Sequence, residues 1–274
     1  MTTRLKLAVW KFASCDGCQL QILDCEDELL VLAEVVDIAY FKEATRHEDP
    51  GPYDLSLVEG SITTAHDAER IRQVRAQSRI LVTIGACVTS GGIQALKNFD
   101  DVAVYKSIVY ATPAYVSSLA TSTPIADHVT VDYAIPGCPI DKTMLLRFLS
   151  ALLAGRKPDI PTHTACVACK HSGVACLMVR GIPCMGPVTR AGCDALCPKF
   201  ARGCFGCFGP SETANVDALI AQWREMGVDE ATIMRAFHTF QAWAPPFRQV
   251  GDVVKSQTSP SRGASQGQGR QGHD

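Results

Sequence analysis

No apolar run in this 274-residue chain reaches the ~18–20 residues that a membrane span requires. A dominant sign of charge is missing too. The chain has 26 Lys and Arg against 28 Asp and Glu, a net charge of −2, which argues against the strongly basic face of a nucleic-acid binder. The opening residues, Met1 to Lys6, are no secretory leader, because the apolar stretch from Leu7 is broken at Lys11 and no twin arginine appears. Charged residues make up 20% and apolar ones 47%, so the composition is that of a packed globular protein. A chain of this length buries roughly 75% of its unfolded surface and needs no covalent staples. What the chain has in excess is cysteine: there are 13.

Three chemistries compete for those thiols. A disulfide scaffold suits a short secreted chain, and the odd total leaves one cysteine unpaired. Structural zinc is kept open by the pairs Cys15–Cys18, Cys166–Cys169 and Cys204–Cys207, each Cys-x-x-Cys. Iron–sulfur clusters, held by four thiolates each, are the third reading; twelve cysteines make three quartets with one left over.

Placement on the fold sharpens the choice. Residues 5–12, 35–41, 53–58, 79–84 and 129–135 read as strands. Helices are expected over 19–32, from Thr64 or Asp67 to about 77, and over 142–154, with at least one more in 98–128. Alternation of this kind predicts an α/β fold with a mostly parallel sheet covered on both sides. Cys15 and Cys18 then follow the first strand, Cys87 the fourth and Cys138 the fifth. In an open parallel sheet these loops emerge at one carboxyl edge, where ligands bind. Four thiols distant in sequence therefore converge, and glycines or prolines beside Cys18, Cys87 and Cys138 suggest close approach of backbone to something bulkier than one ion.

After Gly155 the character changes. Residues 161–210 hold eight cysteines among many glycines and prolines, too little apolar material for a large core. They divide most simply into Cys166, Cys169, Cys176 and Cys184, then Cys193, Cys197, Cys204 and Cys207, although spacing alone leaves mixed quartets open. Cys25 falls inside the first helix and reads as a small buried apolar residue. Residues 211–243 regain a helical look, with Ser211 or Glu212 as the start, and from about Gln257 the composition is that of disorder. The domains expected are 1–158, 159–250 and a disordered tail, 251–274.

Several segments together resemble the small subunit of NiFe hydrogenases: Ser14 to Leu20, Val58-Glu59-Gly60, Gly85 to Gly92, and Pro136-Gly137-Cys138-Pro139. Pro183 to Cys193, Cys197-Pro198 and Gly203 to Cys207 narrow the resemblance to the delta subunit of cytosolic NAD(P)-linked hydrogenases, also called sulfhydrogenases. The resemblance spans roughly residues 5–210 and implies a flavodoxin-like domain followed by a small iron–sulfur domain. It implies three 4Fe–4S clusters: a proximal one on Cys15, Cys18, Cys87 and Cys138, a middle one on Cys193, Cys197, Cys204 and Cys207, and an outer one on Cys166, Cys169, Cys176 and Cys184. The chain departs from membrane-bound relatives in having Cys166 where they use a histidine, with His163 and His171 close by, and in offering four cysteines to the middle cluster.

A NiFe centre is implied in a large-subunit partner, and FAD, NAD(P) and further iron–sulfur clusters in flavoprotein and iron–sulfur partners. The missing export signal implies the cytoplasm. Glu59, closing the third strand at the same edge, has a hydrogen-bonding or proton-relay role as one reading and a plain cap or solvated carboxylate as the other. Lys170 and Arg190 are placed to offset cluster charge, although loop cations are usually just solvated. One rival is the cluster-bearing subunit of respiratory complex I, but its adjacent cysteine pair is absent and it has no room for residues 161–207. A zinc-stabilised adaptor is the rival from another class. A free flavodoxin-like carrier fails, since residues 13–17 hold cysteines in place of a phosphate cradle.

Overall fold

The structure, a computed structural model, describes residues 4–250. Five parallel strands form one sheet: β1 (Leu5–Lys11), β2 (Val36–Phe41), β3 (Tyr53–Glu59), β4 (Ser78–Ile84) and β5 (Tyr133–Ile135). Their order is β2-β1-β3-β4-β5, the flavodoxin-like doubly wound arrangement. Successive side chains alternate between the two faces. Leu55, Leu57, Val82, Ile84 and Ile135 enter one core with Ile22, Leu145, Phe148 and Leu149. On the opposite face Val58 and Leu81 join Phe12, Ile62, Ile71 and Val88. Burial on both sides explains why β3 and β4 are almost continuously apolar.

The helices are α1 (Gly17–Leu23), α2 (Glu26–Val35), α3 (Ala65–Ala76), α4 (Ala86–Ser90), α5 (Val102–Val109), α6 (Lys142–Leu153), α7 (Ala165–His171), α8 (Leu196–Lys199), α9 (Val216–Glu225) and α10 (Glu230–Phe237). The single helix expected over 19–32 is two. Glu26 adopts φ +40°, Lys142 donates to the Asp24 carbonyl, and Glu26, Asp27 and Glu28 fill the first turn of α2. Carboxylates there favour the positive end of a new helix over the interior of an old one. β5 is shorter than the strand expected over 129–135, because Val129 is still tied to Ile125 by the preceding turn and the Asp132 carboxylate accepts the Leu81 N–H.

The helical run expected over 211–243 splits at Gly227 (φ +79°) into α9 and α10, started by Asn215 and Asp229 and not by Ser211 or Glu212. Thr64 caps α3, accepting from the Asp67 N–H. The tail expected to be disordered, 251–274, lies outside the described residues.

Beyond α6 the cysteine-rich segment is mostly loop with the short α7 and α8, and it is braced from both sides. Phe208 inserts into the first sheet core. Behind it, Trp223, Phe237 and Phe247 form a further core with Met185 and Val188.

Candidate metal centre

The carboxyl edge of the sheet brings Cys15, Cys18, Cys87 and Cys138 together. Cys15 and Cys18 flank the start of α1, Cys87 lies in α4 directly after β4, and Cys138 follows β5. Burial is the main cause that pushes the Cys18, Cys87 and Cys138 thiols up, Cys138 to about 11, and neighbouring thiolates of the same set add to it. The backbone is stripped down around them. A Cβ on Gly85 (φ +97°) would stand 2.4 Å from the Cys18 sulfur, and one on Gly92 (φ +66°) 2.6 Å from the Cys87 sulfur.

Glu59 is 1% exposed and faces this loop from the end of β3. Its carboxylate accepts from the backbone N–H groups of Cys18 at 3.1 Å and Gln19 at 3.2 Å, and from Gln19 Nε2 at 2.9 Å. Asp16, at the usual capping position of α1, makes no side-chain cap bond. A strand residue forty positions downstream therefore caps the helix that presents Cys18. Burial raises the Glu59 carboxyl above its ordinary value, and the three donated hydrogen bonds oppose that.

The remaining eight ligand candidates line one cavity of about 190 Å³: Cys166, Cys169, Cys176, Cys184, Cys193, Cys197, Cys204 and Cys207. Neither His163 nor His171 is among its lining residues. Burial pushes the Cys204 and Cys207 thiols up to about 12 each. Cys166 and Cys169 feel Cys184 and Cys176, and Cys197 and Cys204 feel both Cys193 and Cys184, so Cys184 lies close to thiols of both expected quartets.

The three sets also abut. Cys138 acts on Cys207. Cys184 acts on Cys204, and its sulfur accepts the Cys204 N–H at 3.1 Å. Proximity thus runs from Cys138 at the sheet edge through Cys207 and Cys204 to Cys184.

Cys25 stands apart, its thiol donating to the Gln21 carbonyl at 3.4 Å and facing an apolar cavity among Leu5, Ile22 and Leu29. None of the 13 cysteines is in a disulfide. Among the described residues no three His, Cys, Asp or Glu side chains gather tightly enough to share one ion. The cysteine sets are open arrays of soft donors around space, and burial makes Cys18, Cys87, Cys138, Cys204 and Cys207 in particular harder to ionise. A bound cationic metal centre reverses that penalty by holding the thiolate form. Donor type, the stripped backbone and the cavity all fit iron–sulfur ligation.

Three polar side chains around the arrays carry no mark in sequence spacing. Gln94 Nε2 donates to the Ala13 carbonyl at 2.5 Å and lies 3.5 Å from the Cys87 sulfur. Gln241, 3% exposed, donates to the Cys207 carbonyl at 3.1 Å, and its carbonyl accepts from Ser90 at 2.6 Å. Thr189 hydrogen-bonds with Cys204. Only their tertiary neighbours reveal them.

Residues 15–152 match the family described as NADH ubiquinone oxidoreductase, 20 Kd subunit. Sulfhydrogenase 2 subunit delta of Pyrococcus furiosus is 36% identical over 240 residues, covering 87% of this chain and 100% of that protein. A subunit of the F420-non-reducing hydrogenase vhu from Methanocaldococcus jannaschii is 32% identical over 242 residues, 77% of this chain and 84% of that one. Among solved structures, a chain of an NAD+-reducing [NiFe]-hydrogenase in the H2-reduced state superposes with a TM-score of 0.54 at 32% identity, covering 58% of this chain and 96% of the other. Similarity to the sulfhydrogenase subunit runs well past residue 152, through the second cysteine region. The chain therefore belongs to the NADH ubiquinone oxidoreductase 20 Kd subunit family, and within it to the subunits of hydrogenase complexes.

Proposed function

We propose that the chain is the electron-transfer small subunit of a cytoplasmic NiFe hydrogenase, linking the NiFe site of a large subunit to an NAD(P)-reducing flavoprotein. One observation supports this reading: the thiols form a continuous run from the sheet edge into the second cysteine region, with Cys138 close to Cys207 and Cys184 hydrogen-bonded at Cys204. Residues 1–158 form the flavodoxin-like domain that supplies Cys15, Cys18, Cys87 and Cys138. Residues 159–250 form the iron–sulfur domain, with Cys193, Cys197, Cys204 and Cys207 as the middle ligand set and Cys166, Cys169, Cys176 and Cys184 as the outer one. A 4Fe–4S cluster in each set would supply one-electron transfer.

The chain's own residues hold and tune these sites. Glu59 fixes the loop that presents Cys18, Gln94 points an amide at Cys87, and burial sets the dielectric around each sulfur. The sheet edge faces the large subunit in this reading. Leu20 and Ile93, each about half exposed, lie close in sequence to Cys18 and Cys87 and suit an apolar contact, and an obligate interface of this kind buries more than ~2,000 Å².

The family match by itself suits a complex I subunit equally well. Eight further cysteines beyond residue 152, within the span shared with the sulfhydrogenase subunit, favour the hydrogenase reading. The test is iron and acid-labile sulfide analysis of the anaerobically purified complex. About twelve irons are expected from this chain, four per thiolate quartet, over and above those held by the partner subunits. Cys18→Ala should remove about four of them and Cys25→Ala none. Stoichiometric zinc with little iron would sink the reading in favour of an adaptor.

A further inference from the structure

The eight-cysteine cavity is built by a segment whose charge is opposite to that of the chain. Residues 161–210 contain Lys170, Arg180, Arg190, Lys199 and Arg202 against a single acid, Asp194. Five minus one gives +4 for this segment, and because the whole chain is −2, the remainder carries −6. Lys170, Arg180, Lys199 and Arg202 are exposed. Lys199 is paired with Asp194. Among the described residues no carboxylate pairs with Lys170, Arg180 or Arg202.

Lys170 is part of the cavity lining, and Arg180, Lys199 and Arg202 stand within two positions of the lining residues Met178, Pro198 and Cys204 in the chain. Phe205 lines the cavity as well, and the Arg202 guanidinium stands 5.2 Å over the Phe205 ring. Arg180 ends the 3-10 turn Leu177–Arg180, which starts directly after the exposed Cys176 and places Met178 in the cavity wall. Large apolar side chains are exposed near them in the chain: Val179 is 87% exposed, Phe200 72% and Phe205 44%.

Neutralising thiolate charge would explain Lys170 and Arg202, whose charges lower the Cys166 and Cys197 thiols. It does not explain the exposed Val179, Phe200 and Phe205, which a solvated compensating shell has no need of. Unpaired cations around exposed aromatics are the composition of a docking surface, with charge setting orientation and encounter rate and the apolar centre supplying contact.

We propose that this face docks an electron-carrying protein whose own contact surface is rich in Asp and Glu around an apolar centre. The proposal rests on the electron-transfer reading above, because only a redox partner gains from sitting against Cys176 and its neighbours.

Zero-length carbodiimide cross-linking of the anaerobically purified complex tests it, since that reagent joins an amine only to a carboxylate. Lys170 should be linked to an Asp or Glu of a co-purifying chain. Where no such chain covers the face, the added probe is an acidic 2Fe–2S ferredoxin, with basic cytochrome c as the control. The link should fall about tenfold between 20 and 300 mM salt, as expected of exposed charges. In the variant Lys170→Glu, Arg180→Glu, Arg202→Glu the preference should turn to cytochrome c. The milder Arg180→Gln, Arg202→Gln variant, which keeps the Lys170 amine, should weaken the link without inverting it.

Equal linkage to both carriers, insensitivity to salt, or preferential binding to phosphatidylserine vesicles overturns the proposal. So does loss of iron from the Gln variant, which would assign the cations to the thiolates. A wild-type complex free of iron and sulfide would instead refute the electron-transfer reading, and the cross-linking result would then judge the docking face by itself.

Discussion

At the scale of single residues, the side chains that touch the thiols matter more than those near them in sequence. Gln94 illustrates this. Its amide bridges the loop of Cys15, through the Ala13 carbonyl, to the sulfur of Cys87. Once Cys87 is a thiolate it can only accept, so the N–H end of the amide is the one that faces it. An N–H donor to a ligand sulfur stabilises the more negative, reduced state of a cluster. A bond differing by about 1 kcal/mol between the two states moves a one-electron potential by about 40 mV. Gln94→Leu should therefore lower the potential of the sheet-edge centre by tens of millivolts, about that size. A redox titration followed by electron paramagnetic resonance checks it, and an unchanged potential would remove Gln94 from the tuning residues. The bond was invisible in the sequence, where Gln94 is one polar residue after two glycines. Its partners lie 7 and 81 positions away.

At the scale of elements, the legible parts were those governed by local pattern. Strands β1, β3 and β4 are apolar runs ended by a glycine or by loop residues, and each appears within a residue or two of its expected limits. Once the strands were placed, the parallel-sheet rule was enough to gather Cys15, Cys18, Cys87 and Cys138. Elements decided by distant partners were not legible. The break before α2 depends on Lys142, and the late start of β5 depends on the Asp132 carboxylate at Leu81.

Glu59 belongs with these, because a helix capped from another strand leaves no S/T-x-x-E signature at its own start. Glu59→Gln keeps the shape but replaces a two-oxygen anion by one carbonyl and an amide NH2, a donor facing the Cys18 and Gln19 N–H donors. Losing charge-assisted bonds at a buried site should cost about 1.5–3 kcal/mol. Urea unfolding of the complex-free chain and the iron content of the purified complex should both register the change. Unaltered stability together with full iron loading would show that α1 does not depend on this cap.

At the scale of the whole molecule, the segments before and after residue 158 are tied by buried contacts. Phe208, 4% exposed, sits in the first sheet core although it follows Cys207 directly. Its ring is also what a Cβ at Gly137 or Gly192 would strike, at 3.0 and 2.5 Å. Gln241 adds a second tie, reaching Ser90 in α4 and the Cys207 carbonyl together. Phe208→Ala should cost about 3–5 kcal/mol, the range for an aromatic deleted from a packed core. More telling, limited proteolysis should then cut between residues 155 and 164 well before the sheet itself opens. Equal resistance in variant and wild type would mean that the halves do not rely on Phe208 for their docking.

The order of strands in the sheet also has a consequence in time. Cys15 and Cys138 are 123 positions apart, yet they belong to one array, which closes only when β5 is laid beside β4. A ribosome adding about 5–20 residues per second takes roughly 6–25 s to cover that distance. Throughout that interval the Cys15–Cys18 pair is available to zinc, to oxidants and to the wrong thiols. The sheet edge is the first point at which these four sulfurs become one site, so iron delivered to the nascent chain earlier would find only half a binding set.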